Sequence, residues 1–229
     1  MIMNYLNLHF WRVSVQKAIQ IQKNLRKRII LNDNLPEIQR IAAVDVAFSD
    51  NQAICAICVF DFPDLNILET VRAKKKISFP YIPGLLTFRE GPAILAAFKK
   101  LETKPDLVLF DGQGICHPRR MGIATHLGII LNIPSIGCAK SHLHGVYKMP
   151  GENKGDFSFI YPAKKNINNK KEILGVALRT RSYVKPLFVS CGYRISLNSA
   201  IKLILKLSLK YRIPEPLRYA HRMAQDAKG

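Results

Sequence analysis

The segment from Leu107 to His117 constrains the fold of this chain more than any other. Four apolar residues, Leu107 to Phe110, lead directly into Asp111, and a Gly-x-Gly turn follows. Such a run predicts a strand buried on both faces, and parallel sheets place their sites at the carboxyl ends of their strands. Asp111 is therefore either a functional carboxylate or a cap of the next turn, and these residues alone favour neither.

The neighbouring segments predict a mixed sheet. Residues 105–139 have the pattern of a strand, a helix and a second strand, which favours parallel pairing with a right-handed crossover. Residues 41–48, 53–60 and 65–71 are three apolar runs joined by short turns, a pattern typical of an antiparallel meander. The chain is therefore predicted to be an α/β protein.

A single domain over residues 1–229 is expected, because the length suits one large core, and residues 1–12 and 226–229 are expected to be loosely ordered. The pattern predicts a helix at 93–101 with Pro92 in its first turn and Glu90 near its positive end. Other helices are predicted at 13–31, 117–131, 199–209 and around His221, strands at 173–179 and 186–190, and a hairpin tip at 166–171.

The charge of the chain indicates a polyanionic partner. Lysine and arginine number 35 against 16 acidic residues, which gives a formal net charge of +19. Such an excess attracts nucleic acid over long distances, although a generally basic proteome is an alternative explanation. Lys74 to Lys76 are predicted to follow the third strand as a solvated edge.

The five cysteines and the absence of long apolar runs indicate a reduced, cytoplasmic protein. Cys55 and Cys58 have the spacing of a redox or zinc pair, but they lie inside an apolar run without a second pair, so core packing is the better interpretation. No apolar run approaches the roughly twenty residues that a membrane span needs. The first residues lack a cleavage site of the kind that follows a signal peptide.

Three carboxylates are candidates for chemistry. Asp45 is the single charge in the apolar run 41–48, where burial is costly unless the group is paired or binds metal. Asp111 follows the central strand, Glu90 lies at a predicted helix start, and His221 lies in the last helix. If these groups converge, they suit a nuclease that uses a divalent metal, but spacing alone leaves convergence open.

The loop Pro80-Tyr81-Ile82-Pro83 is unusually stiff, because two prolines flank an aromatic and a branched residue. A rigid apolar wedge of this kind can insert between bases. The alternative is a turn that packs Tyr81 into the core, and from the loop alone that alternative is favoured.

Ordered motifs over about residues 20–223 resemble the endonuclease V family, the deoxyinosine 3′ endonucleases. The motifs are Ala43-Val-Asp45-Val, Pro80-Tyr-Ile-Pro-Gly84-Leu-Leu-x-Phe-Arg-Glu90, Asp111-Gly-Gln-Gly-x-x-His-Pro-Arg-Arg-x-Gly122, His126-Leu-Gly128, Ile133-Pro-Ser-Ile-Gly-Cys-Ala-Lys140-Ser141 and Arg179-Thr-Arg-x-x-x-Lys-Pro186.

The resemblance implies a ribonuclease H-like fold, a mixed sheet of five strands flanked by helices. It implies Mg²⁺-dependent cleavage of the second phosphodiester bond 3′ to deoxyinosine in DNA, with Mn²⁺ as a substitute, leaving 3′-hydroxyl and 5′-phosphate ends. An inosine-specific ribonuclease and a binding module without cleavage are the alternatives. A monomer that does not bind membranes is expected.

The resemblance also assigns roles to residues. Asp45 and Asp111 would be the principal metal ligands, Glu90 and His221 would complete or orient the site, and Lys140 would lie beside the scissile phosphate. The wedge would comprise Pro80, Tyr81, Ile82 and Pro83, and the lesion pocket Gly84, Leu86, Gly112, His117 and Gly122.

Two positions qualify the resemblance. Tyr193 follows Val189-Ser-Cys-Gly192, where the family usually has histidine, so the role of that histidine is in question here. His221 stands where some members have aspartate.

Overall fold

One mixed sheet organises the structure, a computed structural model that describes residues 5–33, 35, 37–163 and 172–228. Its helices are α1 (Val15–Leu25), α2 (Leu86–Phe98), α3 (Ile123–Leu131), α4 (Leu197–Leu207) and α5 (Glu215–Asp226). Its strands are β1 (Arg40–Ser49), β2 (Gln52–Asp61), β3 (Ile67–Lys76), β4 (Leu107–Phe110), β5 (Ser135–Ala139), β6 (Phe157–Ile160), β7 (Gly175–Leu178) and β8 (Leu187–Tyr193).

The strand order is β3-β2-β1-β4-β5-β8-β7-β6. The first three strands form the predicted antiparallel meander, and β4 pairs in parallel with both β1 and β5, as the strand-helix-strand pattern predicts. The mixed α/β sheet is thus confirmed. The expected count of five strands is wrong, because β8, β7 and β6 extend the sheet beyond β5 by antiparallel pairing.

Alternation along the strands divides the core between the two faces of the sheet. Ala42, Val44, Val108 and Phe110 pack in the cluster that contains α2 and α3. Ile41, Ala43, Leu107 and Leu109 pack in the cluster that contains α4 and α5. Because side chains alternate with a period of two, Asp45 and Asp111 continue the set that faces α4 and α5.

Polar residues set the ends of several helices. The Ser14 hydroxyl accepts a hydrogen bond from the Lys17 amide at 3.2 Å and caps α1, and Ser196 caps α4 in the same way through the Ser199 amide at 3.2 Å. Asn132 ends α3 in the left-handed conformation with φ of 55°. These are the residue types that helix ends favour.

Two predicted helix starts are wrong. Helix α2 begins at Leu86, so Pro92 lies inside it and Glu90 lies in its second turn. Helix α3 begins at Ile123 instead of His117. Arg120 has φ of 59°, which is not a helical value. The Arg119 and Met121 amides donate to the His117 ring, whereas in a helix they would donate to backbone carbonyls.

Other segments differ from expectation in smaller ways. Lys74 to Lys76 belong to β3 and do not follow it, although all three are exposed at the sheet edge as predicted. Strand β6 was not predicted, and the hairpin tip expected at 166–171 lies outside the described residues. Residues 5–12, expected to be loose, contact α2 and α3, with the Leu6 amide donating to the Ile130 carbonyl at 2.8 Å.

All five cysteines are buried and free, which confirms their packing role. Among the described helices, none combines the length and the apolar character that crossing a bilayer requires.

Candidate active site

Asp45, Asp111 and His221 form a cluster with the donor atoms of a metal site. One ligand atom from each lies within 4.8 Å of the others. The parallel register pairs Val44 with Phe110, so the next residue of each strand brings the two carboxylates together. Helix α5 packs across β1 and β2, and His221 Nδ1 lies 2.7 Å from Asp45 Oδ2.

Lys140 adds a cation to this cluster. It follows β5 directly, and its ammonium forms an ion pair with Asp111 Oδ2. Burial raises the pKa of Asp111, the Lys140 charge opposes that shift, and the nearby Asp45 adds to it. Lys140 therefore favours the ionised form of a crowded carboxylate, while its own side chain stays 38% exposed.

Glu90 is the third predicted acid, and it differs from the other two. It is buried in α2, and burial, reinforced by Asp45 and Asp111, raises its pKa well above the ordinary value. It does not belong to the cluster whose ligand atoms lie within 4.8 Å of one another. Glu90 is thus close enough to both aspartates for their charges to raise its pKa. Its orienting role stays a prediction.

The donor set suits a hard divalent cation. Carboxylate oxygens are the ligands that Mg²⁺ prefers, and two acids at the edge of a buried sheet repel one another unless positive charge lies between them. Burial raises the pKa values of Asp111 and Glu90, and repulsion from neighbouring carboxylates adds to both shifts. The residues present therefore fit a divalent metal.

A cleft of about 360 Å³ adjoins the cluster. It collects most of the residues that the sequence assigned to the metal, the wedge and the lesion pocket. These are Asp45, Asp111, Lys140, Tyr81, Ile82, Pro83, Gly84, Leu86, Gly112, His117 and Gly122. Pro80 does not line it. Tyr81 is 69% exposed, so the alternative that its ring packs into the core is wrong.

The carbonyl of Gly84 holds one wall of this cleft in place. It accepts hydrogen bonds from His117 Nε2 at 2.8 Å, Arg119 Nη2 at 2.8 Å and Gln22 Nε2 at 3.0 Å. Gly84 has φ of 81°, a conformation that glycine adopts without strain. Three donors on one oxygen fix the end of the 80–83 loop.

Gln22 joins this wall to the opposite one, and sequence reasoning missed it. Its side chain is fully buried. Its Nε2 also donates to the Met121 carbonyl at 3.1 Å, and its Oε1 accepts from Arg119 Nε at 2.5 Å. A buried amide needs such partners. One of three glutamines in a basic amphipathic helix gives no sequence signal of its own, so only the fold identifies it.

His117 is held as a neutral ring. Burial, aided by the charges of Arg119 and Arg120, lowers its pKa to about 4. Nδ1 accepts from the Arg119 amide at 3.1 Å and the Met121 amide at 3.3 Å, so Nε2 carries the proton that it donates to Gly84. Both ring nitrogens contact protein, and the side chain therefore supports the cleft wall.

Close backbone contacts explain two glycines near the cleft. A Cβ on Gly122 would lie 2.2 Å from the Gln113 carbonyl oxygen, and a Cβ on Gly137 would lie 2.3 Å from the Gly114 nitrogen. The turn after Asp111 is thus pressed against β5 and against the start of α3, which fixes the position of Asp111.

Comparison with known proteins identifies the family. A family model described as Endonuclease V matches residues 23–222. The chain belongs to the endonuclease V family. It is 50% identical over 211 residues to the endonuclease V of Dictyoglomus turgidum, covering 92% of this chain and 89% of the relative.

Solved endonuclease V structures have the same fold. The Bacillus subtilis protein is 36% identical with a TM-score of 0.89, covering 99% of this chain and 97% of that one. The Ciona intestinalis endonuclease V, in complex with a 24mer DNA containing an inosine followed by a ribo-adenosine, is 27% identical with a TM-score of 0.78, covering 93% and 97%.

Tyr193, where the endonuclease V pattern usually has histidine, packs in the hydrophobic cluster of Ala18, Met121 and Ile129. It does not line the cleft beside Asp45 and Asp111. A packing role therefore accounts for this residue.

Gln22→Met should destabilise the protein by about 2–3 kcal/mol, because it removes three buried hydrogen bonds at nearly constant volume. Gln20→Met is the matched control: Gln20 is exposed on the same helix and bonds only to Asn24, so its loss should cost at most about 0.5 kcal/mol. Urea unfolding measures both. Equal losses would contradict the bridging role of Gln22.

His117 should make stability fall in mild acid. The folded pKa of about 4 lies below the ordinary 6.5, so between these values the unfolded chain binds more protons and stability is lost as pH falls. The loss approaches about 3 kcal/mol. His117→Gln should reduce, without abolishing, the slope of unfolding free energy against pH over this window, because the buried His126, whose pKa is also lowered, still contributes to it. His142→Gln, at an exposed position, is the control.

Proposed function

We propose that this protein is an Mg²⁺-dependent endonuclease that recognises deoxyinosine in DNA. It cleaves the second phosphodiester bond 3′ to the lesion and leaves 3′-hydroxyl and 5′-phosphate ends. One observation carries the proposal. Asp45, Asp111 and His221 form a cluster of metal-binding donors, and a cleft large enough for a base lies beside it. The inosine-containing DNA bound to the Ciona relative supports the substrate.

The groups of the site would have two roles, metal binding and stabilisation of negative charge on the phosphate. Asp45, Asp111 and His221 would hold the metal, which when bound lowers the pKa of the attacking water and neutralises charge on the phosphate. Lys140, half-exposed between Asp111 and solvent, is placed to stabilise negative charge that develops on the scissile phosphate. Buried Glu90 would orient the cluster from α2.

Recognition would use the cleft and its stiff loop. The exposed Tyr81 and its neighbours Ile82 and Pro83 border the cleft and would separate the bases, while the lesion base turns into the space between Gly84 and Gly122. Flipping costs a few kcal/mol, and least at a weakly paired base such as hypoxanthine. Because His117 is neutral and engaged on both nitrogens, it would shape this pocket without donating charge to it.

An inosine-specific ribonuclease is the second candidate. The ribo-adenosine that follows the inosine in the Ciona complex favours it. A binding module without cleavage is less well supported, since Asp45, Glu90 and Asp111 are all present. Nicking of matched inosine-DNA and inosine-RNA duplexes with Mg²⁺ separates the three. We also propose a cytoplasmic monomer, and the five free cysteines support the reducing compartment.

Asp111→Asn should lower the nicking rate on inosine-DNA by about 100-fold or more, because it removes a charged metal ligand at constant shape. The test is a single-turnover assay across Mg²⁺ concentrations. Asp64→Asn removes one charge at an exposed position and serves as the control. Cleavage by Asp111→Asn at the wild-type rate would refute the metal-site assignment.

Tyr81→Ala should weaken binding to inosine-DNA by about tenfold, in line with the 1–3 kcal/mol that a stacking aromatic contributes. Mn²⁺ binding to the free protein should not change, because Tyr81 does not contact the metal cluster. Tyr183→Ala is a matched control, since Tyr183 is 78% exposed and does not line the cleft. Equal lesion affinity in Tyr81→Ala and wild type would exclude the wedge.

A further inference from the structure

A second cleft, of about 580 Å³, opens beside the metal cluster. Lys140 lines both clefts. Asp45 and Asp111 line the first, and His221 lines the second. The metal cluster therefore stands where the two clefts meet, and a strand that passes the metal from one cleft enters the other.

Helix α5 supplies the cations of the second cleft. Arg218, His221 and Arg222 are spaced i, i+3 and i+4, so they share one face of the helix. All three line the cleft. The helix that provides a metal ligand thus also presents two guanidinium groups next to it.

Tyrosine rings hold these guanidinium groups. The Arg218 guanidinium carbon lies 3.3 Å from the centre of the Tyr211 ring, and that of Arg222 lies 5.0 Å from the centre of Tyr219. Stacking on an aromatic face leaves the edge of a guanidinium group available for phosphate oxygens. Such contacts orient both arginines before any ligand arrives.

The charge of this cleft is complementary to a polyanion. Its lining contains Lys140, Arg218 and Arg222 against one acid, Glu215, and that acid is paired with Arg218 at 3.1 Å. Within the described part of the chain, no ion pair involves Arg222. Arg222 therefore has its charge available to a phosphate, while Arg218 and Lys140 each share theirs with one carboxylate.

The remaining lining is apolar. Leu65, Ile67, Ile213 and Tyr219 contribute to it. A groove with cations at the rim and apolar or aromatic groups at the base is the combination that binds single strands, since phosphates contact the cations and bases or sugars pack on the apolar surface.

We propose that the second cleft binds the nucleotides on the 3′ side of the scissile bond, with Arg218 and Arg222 contacting their phosphates. This assignment rests on the proposed function: the lesion base lies 5′ to the cut and occupies the first cleft, so the strand that continues 3′ past the metal enters the second.

Inosine substrates with a fixed 5′ arm and a 3′ arm shortened stepwise, from about eight nucleotides beyond the cut to one, test the proposal. In wild type, KM should rise by about tenfold as the 3′ arm is removed. In Arg218→Ala/Arg222→Ala, KM for the long substrate should already be high and should respond little to shortening. The slope of the logarithm of the binding constant against the logarithm of salt concentration should become shallower by about one for each arginine removed.

Arg12→Ala is the control, because Arg12 is exposed and lines neither cleft. It should keep the full response to arm length. Arg218→Lys/Arg222→Lys, which keeps the charges, should recover part of that response, and thermal melting of each variant checks that α5 remains folded.

One result would overturn the assignment: a double alanine variant whose KM responds to 3′ shortening as that of wild type does. Failure of the proposed function has a different signature, since wild type would then cut no inosine substrate of any arm length.

Discussion

Asp45 and Asp111 are held side by side by the parallel pairing of β1 with β4, and the rest of the site depends on this register. Val44 opposite Phe110 is the last apolar pair before the two acids. The packed faces of the sheet fix that register, because a slip of one residue would exchange the side chains of β4 between the two core clusters and would move Asp111 away from Asp45. The repulsion between the acids is therefore built in by the core, and nearby positive charge offsets it.

Side chains from two other elements contact the two acids. Lys140 arrives from the end of β5 and pairs with Asp111, while His221 arrives from α5 and contacts Asp45. Burial in α2, with Asp45 and Asp111 nearby, raises the pKa of Glu90 well above the ordinary value, and the charge of Arg89 opposes that shift. A cation among these acids would offset their mutual repulsion.

The sequence identified Asp45 and Asp111 as candidates, because one interrupts an apolar strand and the other directly follows one. The structure brings them together with His221, and their catalytic roles stay predictions. The helix starts were less predictable: Arg120 adopts a left-handed conformation that nothing in its own sequence requires, and Pro92 is tolerated within α2. Gln22 gave no signal, because its three hydrogen bonds join segments 62 to 99 residues away along the chain.

The net charge of +19 acts over long distances, whereas the placement of a strand at the site would depend on a few cations held in place. Lys74 to Lys76 are exposed on a sheet edge and attract any polyanion. Arg218 and Arg222 differ, since tyrosine rings orient them on the same helix face as His221. Helix α5 would thus hold both a metal ligand and two groups that contact phosphates. A shift of this helix would move the bound strand and the metal together.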